Sequence, residues 1–115
     1  MTTTISTLKP DTKHILDIAL EKILSVGNPN KVLLFGSYAR GEENEDSDLD
    51  IFIIENEQEI TEINTTKYYK ALFRLNHAKD IIVRSLKEFE ANKTIINTLE
   101  YDVYKEGILL YERKL

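Results

Sequence analysis

At 115 residues, 42% hydrophobic and 30% charged, the chain has the size of one domain and the balance of an ordinary globular protein, which excludes disordered and fibrous classes. A net charge of -5 argues against wrapping a nucleic-acid backbone, which needs a dense Lys/Arg footprint, so no direct nucleic-acid partner is expected. With no Cys there is neither a disulfide framework nor a thiolate zinc site; this suits a reducing cytosol and leaves oxygen or His as metal ligands.

The Thr-rich start, Met1 to Lys9, lacks the basic and apolar stretches of a secretion signal. No segment approaches the roughly 18 apolar residues that span a bilayer, so a cytoplasmic protein without membrane partners is expected. One domain over 1–115 is expected, with 1–10 a flexible lead.

Asp11 is placed to cap a helix over 12–26, where Ile15, Ala19, Ile23 and Val26 recur at helical spacing. Gly27 and Pro29 end it. Lys31 to Phe35 is a short apolar run of the kind a strand covered on both faces has, ending at Gly36. Ser37 to Ser47 is small and then strongly polar, and reads as a loop. A second β-type run covers Asp48 to Ile54. Helical spacing returns over 58–76 through Ile60, Ile63, Tyr69, Leu72, Phe73 and Leu75. Lys79 to Val83 makes a third strand. Ser85 and Glu88 have capping-box spacing and open a helix that breaks near Asn92 and resumes to Tyr104. Gly107 leads into an edge strand over 108–111. The order α-β-β-α-β-α-β predicts an α/β (α+β) domain, a sheet of about four strands with helices packed on it.

Chemistry concentrates in GSYARGEENEDSDLDI, residues 36–51. Period-two geometry puts Asp48 and Asp50 on one face of their strand, Cα atoms about 6.6 Å apart, with Leu49 and Ile51 pointing the other way. Two carboxylates so placed can bridge divalent ions about 3.5–4 Å apart, and hard oxygen ligands favour Mg2+ or Mn2+. For Ser37 to lie beside Asp48, strands one and two must run antiparallel. A parallel crossover then returns Asp80, at the start of its own strand, to the same sheet end. Gly36 permits close backbone approach, and the Ser37 hydroxyl with nearby N–H groups can hold phosphate oxygens. Arg40 is placed either to contact phosphate or to pair with the acidic residues around it. The run from Glu42 to Asp46 reads as a solvated loop, His77 as a loop residue, and Tyr68, Tyr69, Tyr101, Tyr104 and Tyr111 as packing residues of which an exposed subset can form a protein interface.

Gly36-Ser37, ten intervening residues and Asp48-Leu49-Asp50 resemble the signature of the nucleotidyltransferase superfamily that includes DNA polymerase β, and in particular its minimal, MNT-type members. Asp80 in KDIIV and the closing GILLYE match the family's third carboxylate and last strand. The resemblance implies the nucleotidyltransferase fold with a mixed sheet, metal at Asp48, Asp50 and Asp80, and nucleotide held by Gly36, Ser37 and Arg40. It further implies an antitoxin that moves AMP from ATP to a tyrosine of a HEPN-type ribonuclease toxin. Two alternatives stand beside it: an antitoxin that acts by binding alone, and a small-molecule transferase of the aminoglycoside-modifying kind.

Overall fold

The computed structural model describes residues 8–56 and 62–114. Its elements run α1 (Pro10–Val26), β1 (Lys31–Phe35), α2 (Gly36–Arg40), β2 (Leu49–Glu55), α3 (Glu62–Ala71), β3 (Lys79–Ser85), α4 (Leu86–Asn92), α5 (Leu99–Glu106) and β4 (Ile108–Glu112). The four strands form one mixed sheet in the order β3-β2-β1-β4, so β4 lies at an edge as expected and β3 at the other. β1 is antiparallel to β2 and β4, while β2 and β3 are parallel and joined through α3. Both orientations inferred from the carboxylate argument are therefore present.

The central strands read as continuous apolar runs because both sheet faces are covered. On one face Ala19 and Ile23 of α1 and Tyr68 of α3 pack on Val32, Ile51, Ile53 and Ile81. On the other, Phe89 of α4 and Val103 of α5 pack on Leu33, Phe52 and Ile54. Phe52 is fully buried, with ring centroids 6.2 Å from Phe35 and 5.9 Å from Phe89. Truncating such a ring to Ala costs about 3–5 kcal/mol, so it anchors β2 two residues beyond Asp50.

Several boundaries differ from expectation. Lys9, not Asp11, occupies the cap of α1 and makes no side-chain cap bond, because Pro10 takes the first helical position that its fixed φ favours; Asp11 sits in the first turn. Residues 37–40, read as loop, form the single turn of α2, too short to show periodicity. The second helix, expected over 58–76, stops at Ala71; turns fill 72–77, and residues 57–61 lie outside the described residues. Of the expected flexible lead, residues 1–7 also lie outside them, whereas Leu8 is buried with Leu16, Leu34 and Ile108, and Lys9 pairs with Glu43 at 3.1 Å. Ser85 caps α4 by accepting from the Glu88 N–H at 3.0 Å, and the break after Asn92 is present, with Thr98 capping α5. Among the described residues no helix is long and apolar enough to cross a membrane.

Candidate active site

Strand register assembles the site. Asp50 pairs with Phe35 across the antiparallel ladder and with Asp80 across the parallel one, so the last residue of β1 and two carboxylates lie in one row. Asp48 precedes β2 by one residue and shares the parity of Asp50. Leu49 and Ile51, of opposite parity, are fully buried, as alternation requires.

The chain then turns sharply. Gly36 has φ 74°, a left-handed conformation that L side chains resist, and a Cβ there would overlap the Asp50 carboxylate. Glycine thus serves twice: it lets β1 break directly into α2, and it lets the Asp50 side chain lie against bare backbone. Gly41, φ 72°, closes the same turn in the left-handed conformation. Half-buried Ser37 follows Gly36, and its carbonyl accepts from the Glu42 N–H at 2.9 Å.

Burial raises the Asp50 carboxyl above the usual range, the negative charges of Asp80 and Asp48 raise it further, and Arg40 opposes them. Mutual repulsion of this kind is what a cation relieves. Arg40 is already engaged, pairing with Glu42 at 3.3 Å and with Glu106 of α5 at 3.4 Å. Its positive charge also reaches Asp50, where it opposes the two aspartates.

Asp48 and Asp80 are exposed and Asp50 is half-buried. Among the described residues no three His, Asp or Glu side chains stand ready-made around an ion site. The backbone brings the three aspartates to one end of the sheet, and closing on an ion is left to their rotamers. The donor set, hard carboxylate oxygens beside a glycine that leaves room, fits Mg2+ or Mn2+.

Two contacts went unseen in the sequence. Tyr38 Oη of α2 and His77 Nε2 lie 2.9 Å apart, tying the turn that carries Ser37 to the loop that delivers Asp80. Burial, with the charge of Glu43 adding to it, raises the Tyr38 phenol. Tyr69 of α3 donates to Asp80 Oδ1 at 3.3 Å while its oxygen accepts from the Ile81 N–H at 3.0 Å. The helical spacing of Tyr69 was legible, but not that its hydroxyl wraps the sheet edge. A cavity of about 520 Å³ lies elsewhere, between α1, α2 and α5, with Tyr38, Arg40, Glu43 and Glu106 in its wall and none of the three aspartates.

Residues 19–115 match the family described as Polymerase beta, Nucleotidyltransferase. A protein of Methanocaldococcus jannaschii named "Putative protein adenylyltransferase" is 36% identical over 85 residues, covering 74% of this chain and 81% of its own length. The crystal structure of a "putative nucleotidyltransferase" from Sulfolobus solfataricus superposes with TM-score 0.56 at 25% identity, over 87% of this chain and 79% of that one. A toxin-antitoxin crystal structure with AMP-PNP shares the fold, with TM-score 0.62 at 18% identity over 85% of this chain and 73% of its own. Gly36-Ser37 at the end of β1 and Asp48-Leu49-Asp50 entering β2 stand where the matched region folds into this shared architecture, and the chain belongs to the polymerase β nucleotidyltransferase family.

Proposed function

We propose that this nucleotidyltransferase moves AMP from ATP to a tyrosine hydroxyl of a partner protein, a HEPN-type toxin that the transfer silences. The observation that carries the reading is the row Phe35–Asp50–Asp80, with Gly36 opening space against Asp50. The name of the M. jannaschii relative and the toxin-antitoxin content of the AMP-PNP structure support a protein acceptor.

Asp48, Asp50 and Asp80 would hold Mg2+ or Mn2+. When bound, the ions supply the positive charge that lets a triphosphate approach three carboxylates. Gly36 and Ser37 receive the phosphates through backbone N–H groups and the Ser37 hydroxyl. Asp80 orients the acceptor hydroxyl and takes its proton while the oxygen attacks the α-phosphorus in line and pyrophosphate leaves. Tyr38 and His77 brace the two loops against each other, so that the phosphate side and the acceptor side keep their spacing.

The test is to purify the chain with its bound partner and incubate the complex with Mg2+ and ATP labelled at the α-phosphate. Label on a tyrosine of the partner is expected. Label on an added aminoglycoside instead would favour the small-molecule reading. An intact complex with label on neither would leave inhibition by binding alone.

A further inference from the structure

The functional groups run across one end of the sheet from the Gly36 turn after β1, through Asp48 just before β2 and Asp50 on it, to Asp80 on β3. β3 is an edge strand, so among the described residues no further strand of this sheet lies beyond Asp80. If phosphates occupy the Gly36 side, an acceptor has the β3 edge by which to approach. On that edge α3 presents a shallow, mainly apolar hollow of about 310 Å³ lined by Thr66, Tyr69, Lys70 and Phe73. Phe73 is 81% exposed and Tyr69 39%, whereas Phe52 and Phe89 on the sheet's far face are 0% and 1% exposed. The hollow and the candidate site share a residue, because Tyr69 lines the first and its hydroxyl reaches Asp80 Oδ1 at 3.3 Å.

We infer that this hollow is the acceptor subsite, seating the ring of the partner's tyrosine between Tyr69 and Phe73 with its hydroxyl directed to Asp80. The inference rests on the adenylyltransferase reading. Three features support this occupant. The hollow has room for one aromatic ring flanked by two others, an arrangement that adds to area burial through edge or offset packing. Its wall residue Tyr69 accepts from the Ile81 N–H at 3.0 Å, next in the chain to the carboxylate assigned to the acceptor. A phenolic oxygen, that of Tyr69, already stands at hydrogen-bond range of that carboxylate along this edge. An aromatic anchor beside the reacting group also explains how a small domain selects a phenol over the more abundant serine and threonine hydroxyls.

The test uses N-acetyl-L-tyrosinamide as the probe and N-acetyl-L-serinamide as the control, titrated into the ¹⁵N-labelled protein with amide shifts as the readout. Phe73→Ala is the variant, a substitution at an exposed side chain, and its melting temperature checks that the fold is kept. Expected are shifts confined to α3 and the start of β3 with the tyrosine probe, none with the serine probe, and affinity weakened about tenfold by Phe73→Ala with ATP-Mg2+ binding unchanged. Shifts elsewhere, equal affinity in the variant, or no binding of the tyrosine probe by a protein that still binds ATP-Mg2+ would overturn the subsite and leave the transferase reading standing. A protein that fails to bind ATP-Mg2+ at all would overturn that reading, and this inference with it.

Discussion

β2 carries an acid near each end, and the two ends treat their acids in opposite ways. Glu55 at the far end is fully buried, with one oxygen accepting from the Tyr68 hydroxyl and the other without a partner among the described residues. Asp50 at the near end is half-buried, faces two like charges, and is backed by a glycine. Gly27 performs the analogous service at the far end, since a Cβ there would overlap the Tyr68 hydroxyl. One end is a buried contact that the chain makes with its own side chain 13 positions away. The other gathers acids whose mutual repulsion Arg40 only opposes in part, which is the arrangement a site for cations and phosphates needs.

Breaking the near end should cost function first. Asp50→Asn removes a charge that would hold metal, and several kcal/mol of transition-state stabilisation, on the order of a 10³-fold loss in AMP transfer, is expected. An α-labelled ATP assay measures it, and transfer at the wild-type rate would remove Asp50 from the site. Gly36→Ala should destabilise the fold by at least the roughly 1–2 kcal/mol of left-handed backbone strain, with the overlap on Asp50 adding to it; thermal or urea unfolding reads this.

At the far end, Tyr68→Phe strips Glu55 of its donor and should cost about 1–3 kcal/mol in urea unfolding without altering ATP binding. Glu55→Gln should cost less than Tyr68→Phe, because the amide oxygen still accepts from the Tyr68 hydroxyl. If both substitutions impaired transfer while the fold stayed intact, the division of the strand into a structural and a functional end would fail.

The smallest effect concerns pH. Asp50 binds its proton more tightly folded than unfolded, so its favourable contribution is complete below the unfolded carboxylate pKa and is lost as pH rises through the raised native one. At neutral pH without ligand, Asp50→Asn should therefore melt higher than wild type, with the gap closing as pH falls through the raised pKa. A gap that widened on acidification would contradict the sign of the shift.

Much of this was legible in the sequence. KVLLF, DLDIFII and KDIIV declared buried strands, and the need to bring Ser37 and Asp80 to Asp48 dictated one antiparallel and one parallel pairing, both present. The spacing of Gly36-Ser37 and Asp48-Leu49-Asp50 is local, so the residues that meet at one sheet end were visible in one short segment. What escaped depends on contacts between elements. The five residues of α2 are too few for a period, and Pro10 outweighed the capping propensity of Asp11. Tyr69 with Asp80, Tyr38 with His77 and Tyr68 with Glu55 join residues 11, 39 and 13 apart, distances at which no repeat in the sequence reports a meeting.

The central claim is that Asp48 and Asp50 serve the nucleotide while Asp80 serves the acceptor. Calorimetric titration of ATP-Mg2+ into wild type, Asp48→Asn and Asp80→Asn, run beside the AMP-transfer assay on the same samples, tests it directly. Asp48→Asn is expected to lose both binding and transfer, while Asp80→Asn keeps most of the binding and loses about 10²–10⁴-fold in transfer, the usual contribution of a general base. Wild-type transfer by Asp80→Asn, or equal ATP binding by all three proteins, would contradict it.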